Sequence, residues 1–148
     1  MTTTGLDAFD RTVQTSNRWL KELGELLGWQ DRHGAYLAFR ATMHALRDRL
    51  PMEEMVHLGA QLPLLLRGTY YDGWDPEAQP LRLRRKDDFL ALIVERFRST
   101  DPVDAEHVAR AVFAMLANRV SAGEIDDVTH MLPEEIRDLW PGSRPRAA

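Results

Sequence analysis

The sequence resembles itself at an offset of seventy residues. Residues 19–67 align without a gap with residues 89–137. The identical pairs are Leu20/Leu90, Glu25/Glu95, Asp31/Asp101, Ala35/Ala105, Arg40/Arg110, Ala41/Ala111, Leu46/Leu116, Arg49/Arg119, Glu54/Glu124, Leu62/Leu132, Pro63/Pro133 and Arg67/Arg137. Helical periodicity does not require matched prolines or arginines, so a chance match between two helical segments is a poor explanation. Self-similarity at a fixed spacing indicates repeated supersecondary units.

Apolar residues recur at intervals of three and four over 6–27, 36–50 and 89–115, which is typical of amphipathic helices. Leu-Pro steps at 50–51, 62–63 and 132–133 divide the pattern, because proline ends one helix and fits the start of the next. The short alternation over 81–84 has no partner strand. We therefore predict an all-α helical bundle of about eight helices, built from two tandem four-helix repeats.

The boundaries follow from local signals. Repeat one is predicted at about 6–74, a connection at 75–86 and repeat two at about 87–141, all within a single domain, 1–148. The tail, 143–148, is predicted to be disordered. Asp31 and Ser121 are predicted helix N-caps, the latter in an S-x-x-E capping box. Asp101-Pro102 is predicted to open another helix.

Composition excludes several classes of protein. The chain has 148 residues, 44% of them hydrophobic, which suits an ordinary folded domain. The absence of cysteine excludes disulfides and thiolate chemistry and fits a reducing compartment, so we expect a cytoplasmic protein. A net charge of −4 argues against nucleic-acid binding, and no apolar run is long enough for a membrane span.

Three segments carry a resemblance to a known family. The runs FDRTVQTSNRWL, HALRDRLP and LGAQLPLLLRGTYYDGW are similar to the bacterial domain-of-unknown-function family 2267, over roughly 9–140. The resemblance implies an all-helical domain without an established activity. Members of that family occur alone or beside regulatory domains such as nucleotide-sensing CBS pairs. It supplies no catalytic residues.

No catalytic constellation is found in the sequence. The histidines form no metal-binding motif of the H-E-x-x-H type, the serines lie in no nucleophile elbow, and no glycine-rich phosphate loop is present. Paired acids such as Glu134-Glu135 fit helix starts, where the dipole favours negative charge. We expect that the chain is not an enzyme.

One pair of motifs has the spacing of a metal site. Glu54-x-x-His57 matches the E-x-x-H pattern of di-iron bundles, and Asp127-x-x-His130 imitates it. The two motifs lie at different registers of the repeat, because Glu54 aligns with Glu124 and His57 with Asp127. We predict an exposed polar face there, with no metal and no cofactor.

The matched arginines admit two interpretations. Arg40/Arg110 and Arg49/Arg119 either bridge helix ends and carboxylates or hold an anionic ligand. The structural role is favoured, because a repeated ligand site would be expected to repeat its aromatic residues too.

The candidate binding residues are an aromatic loop and neighbouring cations. They are Tyr70, Tyr71, Trp74, Arg67, Arg82, Arg84 and Arg85. Aromatic residues dominate interaction hot spots, but these rings could instead anchor the connection against the bundle. The predicted function is a non-catalytic interaction or regulatory module with an unidentified protein partner. The alternative is a small-ligand-binding bundle whose pocket lies between the repeats.

Overall fold

The computed structural model of the chain describes residues 4–142. The tail predicted to be disordered, 143–148, lies outside the described residues. Within them, eight α-helices and one short 3₁₀ helix form, and no strand is present. The prediction of an all-α bundle is therefore confirmed. In the described part of the chain, no helix combines the length and apolar character that a membrane crossing requires.

The helices follow the predicted order. They are α1 (Asp7–Leu27), α2 (Arg32–Arg49), α3 (Met52–Gly59), α4 (Leu64–Tyr71), the 3₁₀ turn (Pro76–Ala78), α5 (Lys86–Arg96), α6 (Ala105–Arg119), α7 (Ala122–His130) and α8 (Glu134–Arg137). The alternating segment around Leu81 and Leu83 is not helical and lies against α2.

Local signals set most of the helix ends. The Asp31 carboxylate accepts a hydrogen bond from His33 N at 3.0 Å, as an N-cap should. Gly28 ends α1 with a φ of 75°, a left-handed conformation that favours glycine. The predicted helix start at Asp101-Pro102 is wrong. Asp104 is the N-cap of α6 instead, because its own carboxylate accepts a bond from His107 N at 3.2 Å.

The core lies where four long helices meet. Helix α2 packs against α1, α5 and α6, and α6 also packs against α1 and α5. Their inward stripes supply fully buried residues such as Leu23, Phe39, Ile93 and Phe113. Fully burying each such side chain stabilises the fold by about 1.5–3 kcal/mol, so apolar periodicity becomes the main source of stability.

Equivalent positions in the two aligned segments have similar surroundings. Helices α2 and α6 end at Arg49 and Arg119, seventy residues apart. Tyr70 and Trp140, which also align, are both buried. Helix α1 packs on α2, α6 and α4, while α5 packs on α6, α2 and α8. The short helices α3 and α7 pack directly against each other, across the boundary between the halves.

Two aligned arginines make the same backbone contacts. Arg67 Nε donates to Gly59 O at 3.0 Å, and Arg67 Nη2 donates to Leu62 O at 2.9 Å. Arg137 Nε donates to Thr129 O at 3.0 Å, and Arg137 Nη2 donates to Leu132 O at 2.9 Å. Each guanidinium satisfies carbonyl groups at the end of the preceding short helix, where intrahelical donors run out.

We expect Arg67→Met and Arg137→Met each to lower the free energy of unfolding by about 1.5–3 kcal/mol, the usual worth of hydrogen bonds to a charged group. Urea unfolding followed by circular dichroism measures the change. Arg82→Met is the matched control, because Arg82 is exposed, and its effect should stay within about 0.5 kcal/mol. An effect no larger than that of the control at either site would contradict the assigned capping role.

Candidate functional site

A polar cavity of about 460 Å³ opens between the two halves of the chain. One wall is α2, another is the C-terminal end of α5, and the segment after α4 forms the third. The lining residues are Arg40, His44, Arg47, Asp48, Asp72, Gly73, Asp75, Ala78, Glu95, Arg96 and Arg98. We refer to this cavity as the polar pocket. Pockets of this size accept small molecules.

The floor of the polar pocket is a buried ionic network. Arg47 is 2% exposed, and its Nε donates to Asp48 Oδ1 at 2.7 Å. Arg47 Nη1 donates to Tyr70 O at 2.9 Å and to Asp72 O at 3.0 Å. Arg96 from α5 binds the other oxygen of Asp48. The network therefore joins α2, the end of α4 and α5 through one carboxylate.

The charge state of Asp48 follows from these contacts. Burial opposes ionisation, but hydrogen bonds and the charges of Arg47 and Arg96 outweigh burial and lower the pKa of Asp48. The carboxylate consequently stays ionised near neutral pH. A buried charge of this kind is tolerated because it is fully paired, and removing one partner would leave another charge uncompensated.

His44 is the one histidine among the residues that line the polar pocket. Its Nε2 donates to Thr69 O at 2.7 Å, since a carbonyl oxygen can only accept. Burial lowers the pKa of His44 to about 4; the bond to Thr69 opposes this shift, and the charges of Arg47, Arg40 and Arg96 add to it. The imidazole is therefore neutral at neutral pH and adds no positive charge to the pocket.

Positive and negative charges occupy different depths of the polar pocket. Arg47 is buried, and Arg40 and Arg96 are half-buried, so the inner wall is cationic. Asp72, Asp75 and Glu95 are exposed at the rim, together with the cation Arg98. Arg40 Nη2 lies 3.5 Å from Asp72 Oδ2, and because Asp72 is exposed, a ligand anion could compete with this carboxylate for the guanidinium. The arrangement suits a small molecule that enters with its anionic group first.

The predicted site residues do not line the polar pocket, although the loop that carries them does. Tyr70 is fully buried, and its hydroxyl donates to Met55 O at 2.8 Å. The Arg67 guanidinium donates its hydrogen bonds to carbonyl groups at and just after the end of α3. These two residues support the bundle. Asp72 and Gly73 of the same loop line the pocket, and no sequence pattern distinguishes them from their neighbours as site residues.

Tyr71 and Trp74 are half-buried and form a ring cluster with Tyr70. The Tyr70–Tyr71 and Tyr71–Trp74 ring centroids are 5.0 and 6.1 Å apart. Trp74 Nε1 donates to Gln79 Oε1 at 2.7 Å, and Gln79 Nε2 donates to Leu50 O at 2.6 Å. The rings thus attach the connection to the end of α2. Binding of a partner by this loop stays a prediction.

The remaining predicted residues lie on the connection itself. Arg82, Arg84 and Arg85 are exposed. Their segment is held in place by its backbone: Leu81 N donates to Asp48 O at 2.7 Å, and Arg49 donates to Leu83 O. Arg49 therefore has a structural partner, as do Arg119, which binds Glu22, and Arg110, which binds Glu106.

A second polar cluster lies between α3 and α7. Glu54 and Glu124 are 7% and 9% exposed, so the predicted exposed face is wrong for Glu54; His57 is exposed. One ligand-type atom from each of Glu54, His57 and Glu124 lies within 4.8 Å of the others. Burial raises the pKa of Glu124 to about 8, with Glu54 as the second cause and the charge of Asp127 as a further one.

The fold and its cavity define a class of protein: an all-helical bundle with a charged pocket between two helical halves. A family model described as "Uncharacterized conserved protein (DUF2267)" matches residues 16–139, which is most of the chain. The chain belongs to this family. A search among curated proteins gave no match.

We expect the neutral state of His44 to make the fold sensitive to acid. The folded pKa, about 4, lies below the ordinary value of 6.5, so the unfolded chain binds more protons between these values. The stability that the folded chain gains by keeping His44 neutral is therefore fully present above about pH 6.5 and is lost as the pH falls towards 4. His44→Gln keeps a donor for Thr69 O and should lose less stability than the wild type between about pH 7 and 4.5.

Urea unfolding at both pH values measures this difference. His33→Gln is the matched control, since His33 is an exposed histidine on the same helix, and it should retain the wild-type pH dependence. Equal acid sensitivity in wild type and His44→Gln would rule out the assigned neutral state.

The packing of Tyr71 over α3 gives a further prediction. A Cβ atom at Gly59 would lie 2.4 Å from Tyr71 Oη and 2.8 Å from its Cζ. Gly59→Ala should therefore destabilise the wild type, because the ring must leave its place. In a Tyr71→Ala background the same change should stabilise the fold, by up to about 1 kcal/mol, through higher helix propensity. Thermal unfolding of the wild type, both single variants and the double variant measures these changes in stability. A change of the same sign for Gly59→Ala in both backgrounds would contradict the contact with Tyr71.

Proposed function

We propose that the chain is a non-catalytic regulatory module that binds a small charged ligand in the polar pocket. The observation that carries the proposal is the excess of positive charge on the inner wall: Arg47 and Arg96 share the one carboxylate of Asp48, and Arg40 pairs at 3.5 Å with the rim residue Asp72. A carboxylate or phosphate group would displace Asp72 from Arg40 and gain charge-assisted hydrogen bonds. A second, cationic group on the ligand would then meet the rim carboxylates, so zwitterionic molecules fit best.

The titratable groups support binding rather than catalysis. General acid–base catalysis is most efficient when the pKa of the group lies near the working pH. The pKa of His44 is lowered to about 4 and that of Asp48 is also lowered, so neither exchanges protons readily near neutral pH. Both are also held by hydrogen bonds to the protein.

The pocket's position supports a regulatory role. Arg40 and Asp72 belong to the first half of the chain, whereas Glu95 and Arg96 belong to α5 in the second. A ligand that contacts both walls would stabilise one relative arrangement of the halves by its binding free energy. A partner that senses this arrangement would then respond to the ligand.

An exposed apolar groove between α1 and α4 is the best candidate for the surface that binds such a partner. Phe9, Leu64 and Leu65 are each about half exposed, at 50%, 52% and 49%, and with Val13 they line a depression of about 270 Å³. Contiguous exposed apolar surface is typical of protein-binding sites. We propose that a protein partner docks here, with the aromatic loop as the alternative surface.

We also infer that the two halves are tandem copies of one four-helix unit. The support is the sequence match at seventy residues, the equivalent helix ends and the equivalent contacts of Arg67 and Arg137. The wall that α2 contributes to the polar pocket is then specific to the first half, since Asp48 aligns with Asn118 and His44 with Ala114. A bacterial, cytoplasmic setting is part of the proposal; the cysteine-free composition supports its cytoplasmic part, since it fits a reducing compartment.

The ligand proposal is tested with a panel of amino acids and small dicarboxylates, using thermal shift and then calorimetric titration. We expect at least one zwitterionic member to bind, and Arg40→Gln to weaken that binding by roughly 10- to 100-fold, the effect of losing a charge-assisted hydrogen bond. Arg82→Gln is the matched control, because Arg82 is an arginine outside the pocket, and it should bind normally. No binding by any member, or equal loss in both variants, would contradict the proposal.

A further inference from the structure

The second polar cluster, formed by Glu54, His57 and Glu124, has the geometry of a binding site of its own. Glu54 and His57 lie on α3, and Glu124 lies on α7, which packs against α3. A carboxylate oxygen of each glutamate and a ring nitrogen of His57 all lie within 4.8 Å of one another. Three groups that commonly bind metals therefore converge on one point from two helices.

Local structure explains why these side chains converge. Glu54 and His57 are three residues apart, so they lie on the same face of α3. Glu124 is the third residue after the N-cap Ser121, whose hydroxyl accepts a bond from Glu124 N at 3.3 Å. In a complete capping box the Glu124 carboxylate would bind Ser121 N, but that group donates to Gln61 Oε1 at 3.3 Å instead. The carboxylate of Glu124 is left to face α3.

Each of the two buried carboxyl groups has an oxygen without a hydrogen-bond donor in residues 4–142. Both residues are more than nine-tenths buried, and among the described residues no donor reaches Oε2 of Glu54 or Oε2 of Glu124. Buried carboxylate oxygens are normally hydrogen-bonded or bound to a cation, because leaving them unpaired is costly. Two such groups side by side also oppose each other's ionisation, which is one cause of the raised pKa of Glu124.

We propose that Glu54, His57 and Glu124 bind a single divalent transition-metal ion between α3 and α7. Two carboxylates and one imidazole are a donor set that suits Zn²⁺, Mn²⁺, Fe²⁺ or Co²⁺. The ion would pair both buried oxygens and remove the repulsion between them. Because His57 is exposed, the remaining coordination positions face solvent and are filled by water.

The proposed metal site is separate from the polar pocket, and binding there would have an independent effect on stability. None of its three residues lines that pocket. Glu54 comes from the first half of the chain and Glu124 from the second, so the ion would link the halves at a second point. Its binding free energy would add to the stability of the folded chain, independently of any ligand in the pocket.

The test uses tag-free protein that has been treated with a chelator and then freed of it. Co²⁺ is titrated in and followed by its visible absorption, and Zn²⁺ is measured by competition and by the rise in melting temperature. The variants are Glu54→Gln, Glu124→Gln and His57→Ala. His130→Ala is the matched control, because His130 is an exposed histidine on α7 outside the cluster.

We expect one equivalent of Co²⁺ to bind to wild type and to His130→Ala, with at least about a tenfold loss of affinity in each of the other three variants. Metal-free Glu124→Gln should melt at a higher temperature than metal-free wild type, since the neutral amide beside Glu54 costs neither charge repulsion nor the uptake of a proton. That rise would show that the variant is folded, and the Zn²⁺-dependent rise should then be absent from it.

Two results would overturn the proposal. One is the absence of stoichiometric binding to wild type, in which case the two carboxyl groups meet their requirement by sharing a proton. The other is binding that survives Glu54→Gln and Glu124→Gln unchanged, which would assign the metal to surface histidines. Neither result depends on whether the polar pocket binds a ligand.

Discussion

The buried charge of Arg47 is the constraint on which the arrangement of the two halves depends. A guanidinium this deep in the bundle requires a complete set of acceptors. Asp48 supplies two of them, and the carbonyl groups of Tyr70 and Asp72 supply the others. Asp48 in turn binds Arg96 from the second half. One buried cation thus fixes the end of α4, the C-terminal part of α2 and the position of α5.

The connection between the halves is ordered by the same region of α2. It has little regular structure, so its backbone groups need partners from elsewhere. The carbonyl groups at the end of α2 accept from Gln79 and Leu81, and Arg49 reaches back to Leu83 O. Trp74 then holds Gln79 in place. These contacts offset the entropy lost when a long connection is ordered, and they also shape the rim of the polar pocket.

Two buried polar clusters within residues 4–142 have opposite properties. The Arg47 network is satisfied, with paired charges and short hydrogen bonds, so it specifies structure. The Glu54–Glu124 pair brings two carboxyl groups together that oppose each other's ionisation, and it leaves two oxygens without a donor among the described residues. Because buried oxygens normally have a partner, the incomplete cluster is a candidate site for an ion from solution.

Local sequence pattern was enough to predict the α-helices, because periodicity, prolines and caps act over a few residues. It did not predict Asp104 as the N-cap of α6 or the 3₁₀ helix Pro76–Ala78. It did not determine which charged residues are buried. Arg47, Asp48, Glu54 and Glu124 look like ordinary helix-surface residues until the facing helix is known. The pairing of α3 with α7 brought Glu124 to Glu54, and the contact of α2 with α5 brought Arg96 to Asp48. Such contacts join residues about fifty or more positions apart, and local pattern carries no information about that distance.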